Sequence, residues 1–381
     1  MVDFSASRLS VRGRSLAAVV AAMLTPCALG QLTPDDIDRL EAQGLREGWT
    51  FSVGLNDATE IPLQTLSGGT PPADGDSDRC APPPRQDLPN SFDWYPDGVT
   101  PVGNQGDCGC CWAFGLHGQM EAALLILSDK TEDLSEQYLV SCLREDDNCS
   151  GWSAYQAASN YLSTGATPSY HCSESGTVSE GQLPYTSGID GSWPPCECSY
   201  THTYFLESRE TPWSGTPTVD DLKTFVHEHY PITVGIQTTD AFHAYTGGVF
   251  NACPSKTTMS HYVVIVGWDD SQGHSGAWHI KNSWGTDWGE SGFMWIEYGC
   301  LNVGTWATTV TFDASIIGVP PCPGDITGNG IVDDEDLLGI LQGFGQCPPC
   351  HEDCDPATEA MFGIEDLLTV LADWGTCTPA S

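Results

Sequence analysis

Asn104-Gln105-Gly106-Asp107-Cys108-Gly109-Cys110-Cys111-Trp112-Ala113-Phe114 decides how the rest of the chain is read. A glycine-rich loop runs straight into an apolar, helix-favouring segment, Trp112 to Leu127. A cysteine in the first turn of that helix meets the positive end of its dipole, which stabilises a thiolate. Gln105, six residues before Cys111, carries a side-chain amide able to donate to a developing oxyanion. The stretch thus presents Cys111 as a nucleophile, against the plainer reading of a disulfide-bonded turn ahead of a buried helix.

A nucleophile needs a base, and the base needs an orienting partner. Ser260-His261-Tyr262-Val263-Val264-Ile265-Val266-Gly267-Trp268 puts a histidine at the start of a buried strand, 150 residues after Cys111. Lys281-Asn282-Ser283-Trp284-Gly285 follows, with Asn282 placed 21 residues after His261. With Leu134-Ser135-Glu136-Gln137 between them, these blocks resemble the papain family of cysteine peptidases over about 225 residues. The resemblance implies an α+β, papain-like fold of two facing subdomains, a helical left half and a β-rich right half.

It also implies roles. Cys111 is the nucleophile and His261 the base, expected as a thiolate–imidazolium pair whose titration belongs to both groups. Asn282 orients the imidazole, Trp284 covers that hydrogen bond, and Gln105 with the Cys111 backbone N–H forms the oxyanion hole. No cofactor is expected for catalysis. Substrate contacts fall to Gly151, Trp152, Gly235, Ser260, Tyr262 and Trp284, with Trp152 either replacing the usual second glycine or following its deletion. Bulky Tyr262 and small Gly235 pull pocket depth in opposite directions. By the same resemblance Cys108 pairs with Cys149 and Cys253 with Cys300. Cys142 pairs with Cys172, Cys196 or Cys198, the last two favoured. Cys110 replaces the usual Ser or Ala. It is expected to be exposed beside the nucleophile, free or able to trap Cys111 on oxidation.

Residues 1–30 read as an export signal: Arg8, Arg12 and Arg14 precede the apolar run Leu16–Leu24, with Ala28-Leu29-Gly30 at the cut site. No later run approaches the roughly 18 apolar residues of a membrane span. The expected product is secreted, with association at the cell surface as a further expectation, and the sixteen cysteines left after Cys27 departs with the signal suit an oxidising compartment. A formal charge of −38 excludes nucleic acid and anionic membrane as partners.

Residues 31–87 read as a propeptide and linker. Helix-forming Pro34–Gly44 opens on Thr33 as N-cap, and Ser67–Pro84 has the Gly, Pro, Asp and Ser content of a loose, cleavable connector. The peptidase domain spans 88–317. Helices are expected at 111–128, 134–143, 152–164 and 218–229, and strands at Ile232–Gln237, His261–Trp268, Ala277–Asn282, Gly292–Tyr298 and Thr305–Phe312.

Residues 318–381 form a small paired-helix tail. Asp325, Thr327, Asn329, Asp333 and Asp336 stand at positions 1, 3, 5, 9 and 12 of an EF-hand-like loop, with the Ile331 carbonyl at 7 and Gly330 at the sharp turn. Asp366-Leu367-Leu368 repeats Asp336-Leu337-Leu338 after 30 residues, but Ala357 and Ala360 weaken the second loop. The tail resembles a type I dockerin, which implies structural Ca²⁺ and a cohesin-type scaffold or cell-surface partner. Beside Cys350 and Cys354, His351 could suggest zinc, but the export signal favours disulfides. The whole chain reads as a secreted endopeptidase acting on protein or peptide substrates. The alternative is a catalytically retired papain-fold scaffold acting through its dockerin.

Overall fold

A computed structural model of the protein describes residues 30–72, 88–143, 149–162, 176–192, 194–196, 199–210, 217–254 and 259–312. In the tail it describes 331–332, 337–338, 341, 367–368, 370–371 and 374–376. The export-signal residues 1–29 lie outside the described residues. So do Asp325, Thr327, Asn329, Asp333, Asp336, Cys172 and Cys198.

The chain opens with α1 (Pro34–Glu47), β1 (Thr50–Val53), a 3₁₀ turn (Asp57–Glu60) and α2 (Leu63–Leu66). Thr33 caps α1 in a reciprocal capping box with Asp36. The helix runs past Gly44 to Gly48, whose φ of 72° ends it. Gly44 had read as the stop. Its missing side chain instead makes room for the Trp49 indole, which a Cβ there would meet at 2.8 Å.

The helical half contains α3 (Cys111–Ser128), α4 (Glu136–Cys142) and α5 (Ala154–Leu162). Every residue of α3 from Cys111 to Leu124 is buried, so this helix is the spine of the domain rather than an amphipathic cover. Ser135 caps α4 through the Tyr138 amide. The other half is a sheet to which β2 (Ser91–Asp93), β3 (Leu206–Glu210), β4 (Ile232–Ile236), β5 (Tyr245–Phe250), β6 (His261–Asp269), β7 (Ala277–Lys281), β8 (Phe293–Glu297) and β9 (Thr305–Phe312) belong. Its order is β1-β5-β8-β7-β6-β4-β9-β3, with β2 on β6. Pairing is antiparallel except between β5 and β8. Two helices, α6 (Val219–Glu228) and α7 (Asp240–His243), complete the domain.

The expected α+β division is present, helices first and strands later. The sequence reading missed β1, β2, β3 and β5. These strands take their order from neighbours: β1 hydrogen-bonds along β5, Thr50 opposite Val249.

Disulfides join Cys108 to Cys149, Cys142 to Cys196 and Cys253 to Cys300. In the tail, β10 (Ile331–Val332) pairs antiparallel with β11 (Gly375–Thr376). Val332 and Val370 are buried together with Leu337 and Leu367 against them, so the two sequence repeats share a small core. Among the described residues no helix is long and apolar enough to cross a membrane.

Candidate active site

Cys111 is the first residue of α3 and is fully buried. Backbone groups of Tyr262, Gly68 and Trp112 surround its thiol. Tyr262 follows His261 at the start of β6, so helix spine and sheet meet at the nucleophile. The loop before α3 is stitched to the loop after β7, with Gln105 N–H donating to Ser283 C=O at 2.9 Å and Gly285 N–H to Gly103 C=O at 3.0 Å.

His261 Nε2 donates to Asn282 Oδ1 at 2.8 Å. Asn282 Oδ1 also accepts from the Ser283 amide at 2.8 Å, which fixes the amide oxygen toward the imidazole. That bond selects the tautomer in which Nδ1 is unprotonated, and among the described residues Nδ1 has no hydrogen-bond partner. The Trp284 ring lies 4.8 Å from the imidazole, centroid to centroid, and is buried.

Gln105 is oriented from both ends. Ser283 Oγ donates to its Oε1 at 2.8 Å, and its Nε2 donates to Cys108 C=O at 2.7 Å and to Leu66 C=O at 3.1 Å. Leu66 lies in the N-terminal segment, and its carbonyl also faces the imidazole of His261.

Residues 67–70 continue across the site. Gly69 N–H donates to Ser260 C=O at 2.9 Å, Trp152 N–H to Gly68 C=O at 2.8 Å and Thr70 N–H to Trp152 C=O at 3.0 Å. Tyr262 Oη donates to Thr70 C=O at 3.0 Å. The start of the supposed loose connector is therefore a hydrogen-bonded segment, with an isolated parallel bridge between Gly69 and Trp152. Gly68 and Gly69 read as flexibility, yet they serve close approach: a Cβ on Gly68 would fall 1.7 Å from Gly109 O.

Burial under this segment also changes the expected charge state. Desolvation pushes the Cys111 thiol up to about 11 and His261 down to about 4. In this covered form burial favours the uncharged state of each group.

Cys110 is not exposed. It is fully buried, with Sγ 3.0 Å from Tyr185 Oη, and burial raises its thiol far above the ordinary range. Tyr185 Oη in turn donates to Gln105 C=O at 2.7 Å. The sequence reading passed over Tyr185 and Ser283 as supports of Gln105. Ser283 sits inside the Lys281–Gly285 block and Tyr185 follows Pro184, which were the available signals.

The remaining substrate-side residues are also close to the segment. Trp152 supplies its backbone to it while its indole meets Trp112 edge-on at 5.2 Å. Gly151, at φ +97°, lets Gly68 pass, since a Cβ there would meet Gly68 O at 2.5 Å. Gly235 lies opposite Tyr262 in the β4–β6 register. Between α3 and the β6–β7 pair lies a cavity of about 270 Å³ lined by Glu121, Asp133, Glu136, Glu180 and Lys281.

A buried cysteine at a helix start, an amide-oriented imidazole and a side-chain amide aimed at a carbonyl oxygen are the parts that cysteine-nucleophile hydrolases use. The family model for "Papain family cysteine protease" matches residues 88–312. The senescence-specific cysteine protease SAG12 of Arabidopsis thaliana is 37% identical over 215 residues, covering 55% of this chain and 57% of that protein. A cysteine proteinase of Trypanosoma brucei brucei is 34% identical, covering 56% of this chain and 44% of its own length. The chain thus spans about half the length of these relatives. Among solved structures, the digestive procathepsin L2 proteinase from Tenebrio molitor larval midgut matches at TM-score 0.60 and 26% identity, over 73% of this chain and 89% of that one. The chain belongs to the papain family of cysteine proteases.

Proposed function

We propose that the protein is a latent cysteine endopeptidase whose N-terminal segment must be removed before it acts. The observation that carries this reading is the Leu66 carbonyl on Gln105 Nε2, 3.1 Å away, where an oxyanion would be held. In the uncovered site the Cys111 thiol gives its proton to His261 Nδ1, and Sγ forms a bond to the substrate carbonyl carbon. The C=O π pair moves to oxygen, where Gln105 Nε2–H and the Cys111 N–H receive it. Collapse breaks the C–N bond as His261 protonates the leaving amine. Water, deprotonated by His261, then attacks the thioester, releasing the acid and restoring the thiol. Asn282 holds the imidazole throughout without adding a charge.

The likeness to proforms supports latency. One such likeness is to the digestive procathepsin L 3 of Tenebrio molitor, at 25% identity and TM-score 0.58. Further support comes from anchors outside the cleft. These are the β1–β5 pairing, the His243 bond to Ala58 C=O at 2.6 Å, and the Asn56 Nδ2 bond to His243 C=O at 3.2 Å.

For the tail, the reading is a calcium-ordered docking module that carries a secreted peptidase to a scaffold or cell-surface protein. The donor set of three carboxylates, a hydroxyl, an amide and the Ile331 carbonyl is all oxygen and suits Ca²⁺, whose work there is structural. Leu338 and Leu341 in the first repeat and Leu368 and Leu371 in the second are exposed at the same 30-residue spacing. This supports an apolar docking face present twice.

A thiol-directed peptidyl epoxide tests the reading. Mass spectrometry of the chain cleaved between residues 72 and 88 and freed of its N-terminal piece is expected to show label on Cys111. No label there, with the protein folded, would overturn it.

A further inference from the structure

His243 stands outside the cleft, one indole past the base. Trp284 touches both imidazoles, its ring 4.8 Å from that of His261 and 5.7 Å from that of His243. Phe242, the neighbour of His243 in α7, packs on His261 at 6.2 Å and on Trp284 at 5.2 Å. His261 gives its proton to the leaving amine, so the released chain emerges along this wall. The N-terminal segment marks both ends of the path. Gly69 bridges Trp152 at one, Ala58 meets His243 at the other, and Leu66 on Gln105 comes between them in the chain.

The His243 ring has one outward donor. Its Nε2–H donates to Ala58 C=O at 2.6 Å, while Nδ1 is buried and, among the described residues, has no hydrogen-bond partner. The neutral tautomer is therefore the one with its proton on Nε2. The residue is held from behind as well, because Trp288 Nε1 donates to His243 C=O at 3.2 Å. Trp288 belongs to the peptidase domain, so this bond survives loss of the N-terminal piece. Departure of Ala58 then bares a positioned N–H whose acceptor has left with the segment.

We propose that His243 Nε2–H binds a main-chain carbonyl oxygen of the leaving peptide, so that the enzyme favours bonds followed by at least two or three residues. This rests on the peptidase reading above and names its substrate class, the interiors of chains rather than their ends. Three extended residues span about 10 Å, enough to pass from His261 across the indole to His243. A side-chain donor sets no chain polarity. The substrate need not follow the path or direction of the N-terminal segment, only bring one carbonyl alongside α7.

The test uses the full chain cleaved between residues 72 and 88 and freed of its N-terminal piece. Its substrates share one acyl sequence and differ after the cut. One is a coumarylamide; the others carry one, two or three residues, each ending in a carboxamide or a free carboxylate. Hydrolysis of the coumarylamide, stopped by iodoacetamide on Cys111, establishes the peptidase reading separately. Along the carboxamide series kcat/KM is expected to rise at least about fivefold at the second or third residue, the worth of one hydrogen bond. A thiocarbonyl in the residue added at that step is expected to cancel the gain, as is His243→Leu. His243→Gln, which keeps a side-chain N–H, is expected to restore it. If His243→Leu fails to fold, the length series and the thiocarbonyl still decide with the wild-type enzyme. A flat series, a gain that survives the thiocarbonyl or His243→Leu, or a gain confined to free carboxylates would overturn the proposal while leaving the peptidase reading intact.

Discussion

The carbonyl oxygen of Leu66 accepts a 3.1 Å hydrogen bond from the side-chain amide of Gln105. A residue of the N-terminal segment thus satisfies the donor that Ser283 and Tyr185 hold in place. Tight cover there depends on glycine at 68, because a Cβ would strike the Gly109 backbone. Gly68→Leu is therefore expected to make the uncleaved chain react with the peptidyl epoxide at least about tenfold faster than wild type. Equal labelling rates would sink the claim that this segment closes the site.

Within the cleaved enzyme, Cys111→Ala and His261→Ala are expected to abolish peptide hydrolysis. Asn282→Ala weakens it, because the imidazole remains though less well held. Gln105→Ala is expected to cost about 10²–10³ in kcat, the usual worth of one oxyanion donor. Wild-type turnover by Cys111→Ala would refute the mechanism.

Acid is expected to loosen the cover. His261 is held at about 4 by burial against its ordinary 6.5, and His243, bonded to Ala58, is also lowered. Uncovering lets each take a proton below about 6.5 that the covered form refuses, so closure weakens as pH falls from there toward 4. The raised Cys111 thiol works the other way only above its ordinary 9.0. Labelling of the intact chain, corrected for reagent pH dependence with the cleaved form, is expected to accelerate below pH 6.5. A flat or falling ratio would contradict this.

The buried carboxylates predict a decline at the alkaline side. Desolvation raises Glu121 to about 7 and Glu136 and Glu180 to about 8, with Lys281 and His117 as the facing bases and Asp133 adding repulsion. The folded chain keeps protons that the unfolded chain has already lost, so stability drops as pH rises above about 4.5 and levels off once the folded values of about 7 and 8 are passed. From about pH 7 upward the unfolded histidines are largely neutral and interfere little, which leaves about pH 7 to 8 as the window. The Tm is expected to fall across that range, and Glu136→Gln to reduce the fall. A Tm that rises with pH there would be the wrong sign.

Calcium is expected to order the tail alone. Asp325, Asp333 and Asp336 repel one another without a cation, by about 1 kcal/mol per pair at 4 Å in water. Calorimetry of the full chain is expected to show calcium-dependent heat that Asp325→Ala removes, with peptide hydrolysis unaffected by chelation. No such heat would dispose of the loop.

The long, strongly patterned elements were legible. The buried run of β6 after His261 and the apolar helix after Cys111 both declare their type in sequence. What stayed hidden was order conferred by contact. β1 is short and becomes a strand only against β5, which itself lies between β1 and β8, and Gly247-Gly248 in β5 resembles a loop in one dimension. Cys110 illustrates the same limit: its burial against Tyr185 is a long-range packing fact with no local signal. The desolvation of Cys111 and His261 was hidden too, because it follows from cover supplied by a segment whose Leu66 lies 45 residues before Cys111.

The β1–β5 pairing has a consequence for what a cut accomplishes. Thr50 to Val53 currently cap the rim of a sheet, and their loss leaves β5 as a bare margin with unpaired amides and carbonyls. Severing the chain after Pro72 does not by itself expel the piece, which keeps the rim, the Asn56 and Ala58 bonds and the cleft contacts. The clipped fragment is then a bound peptide competing with every substrate. Full turnover is expected to wait for its destruction, and the onset of activity to lag behind the first incision.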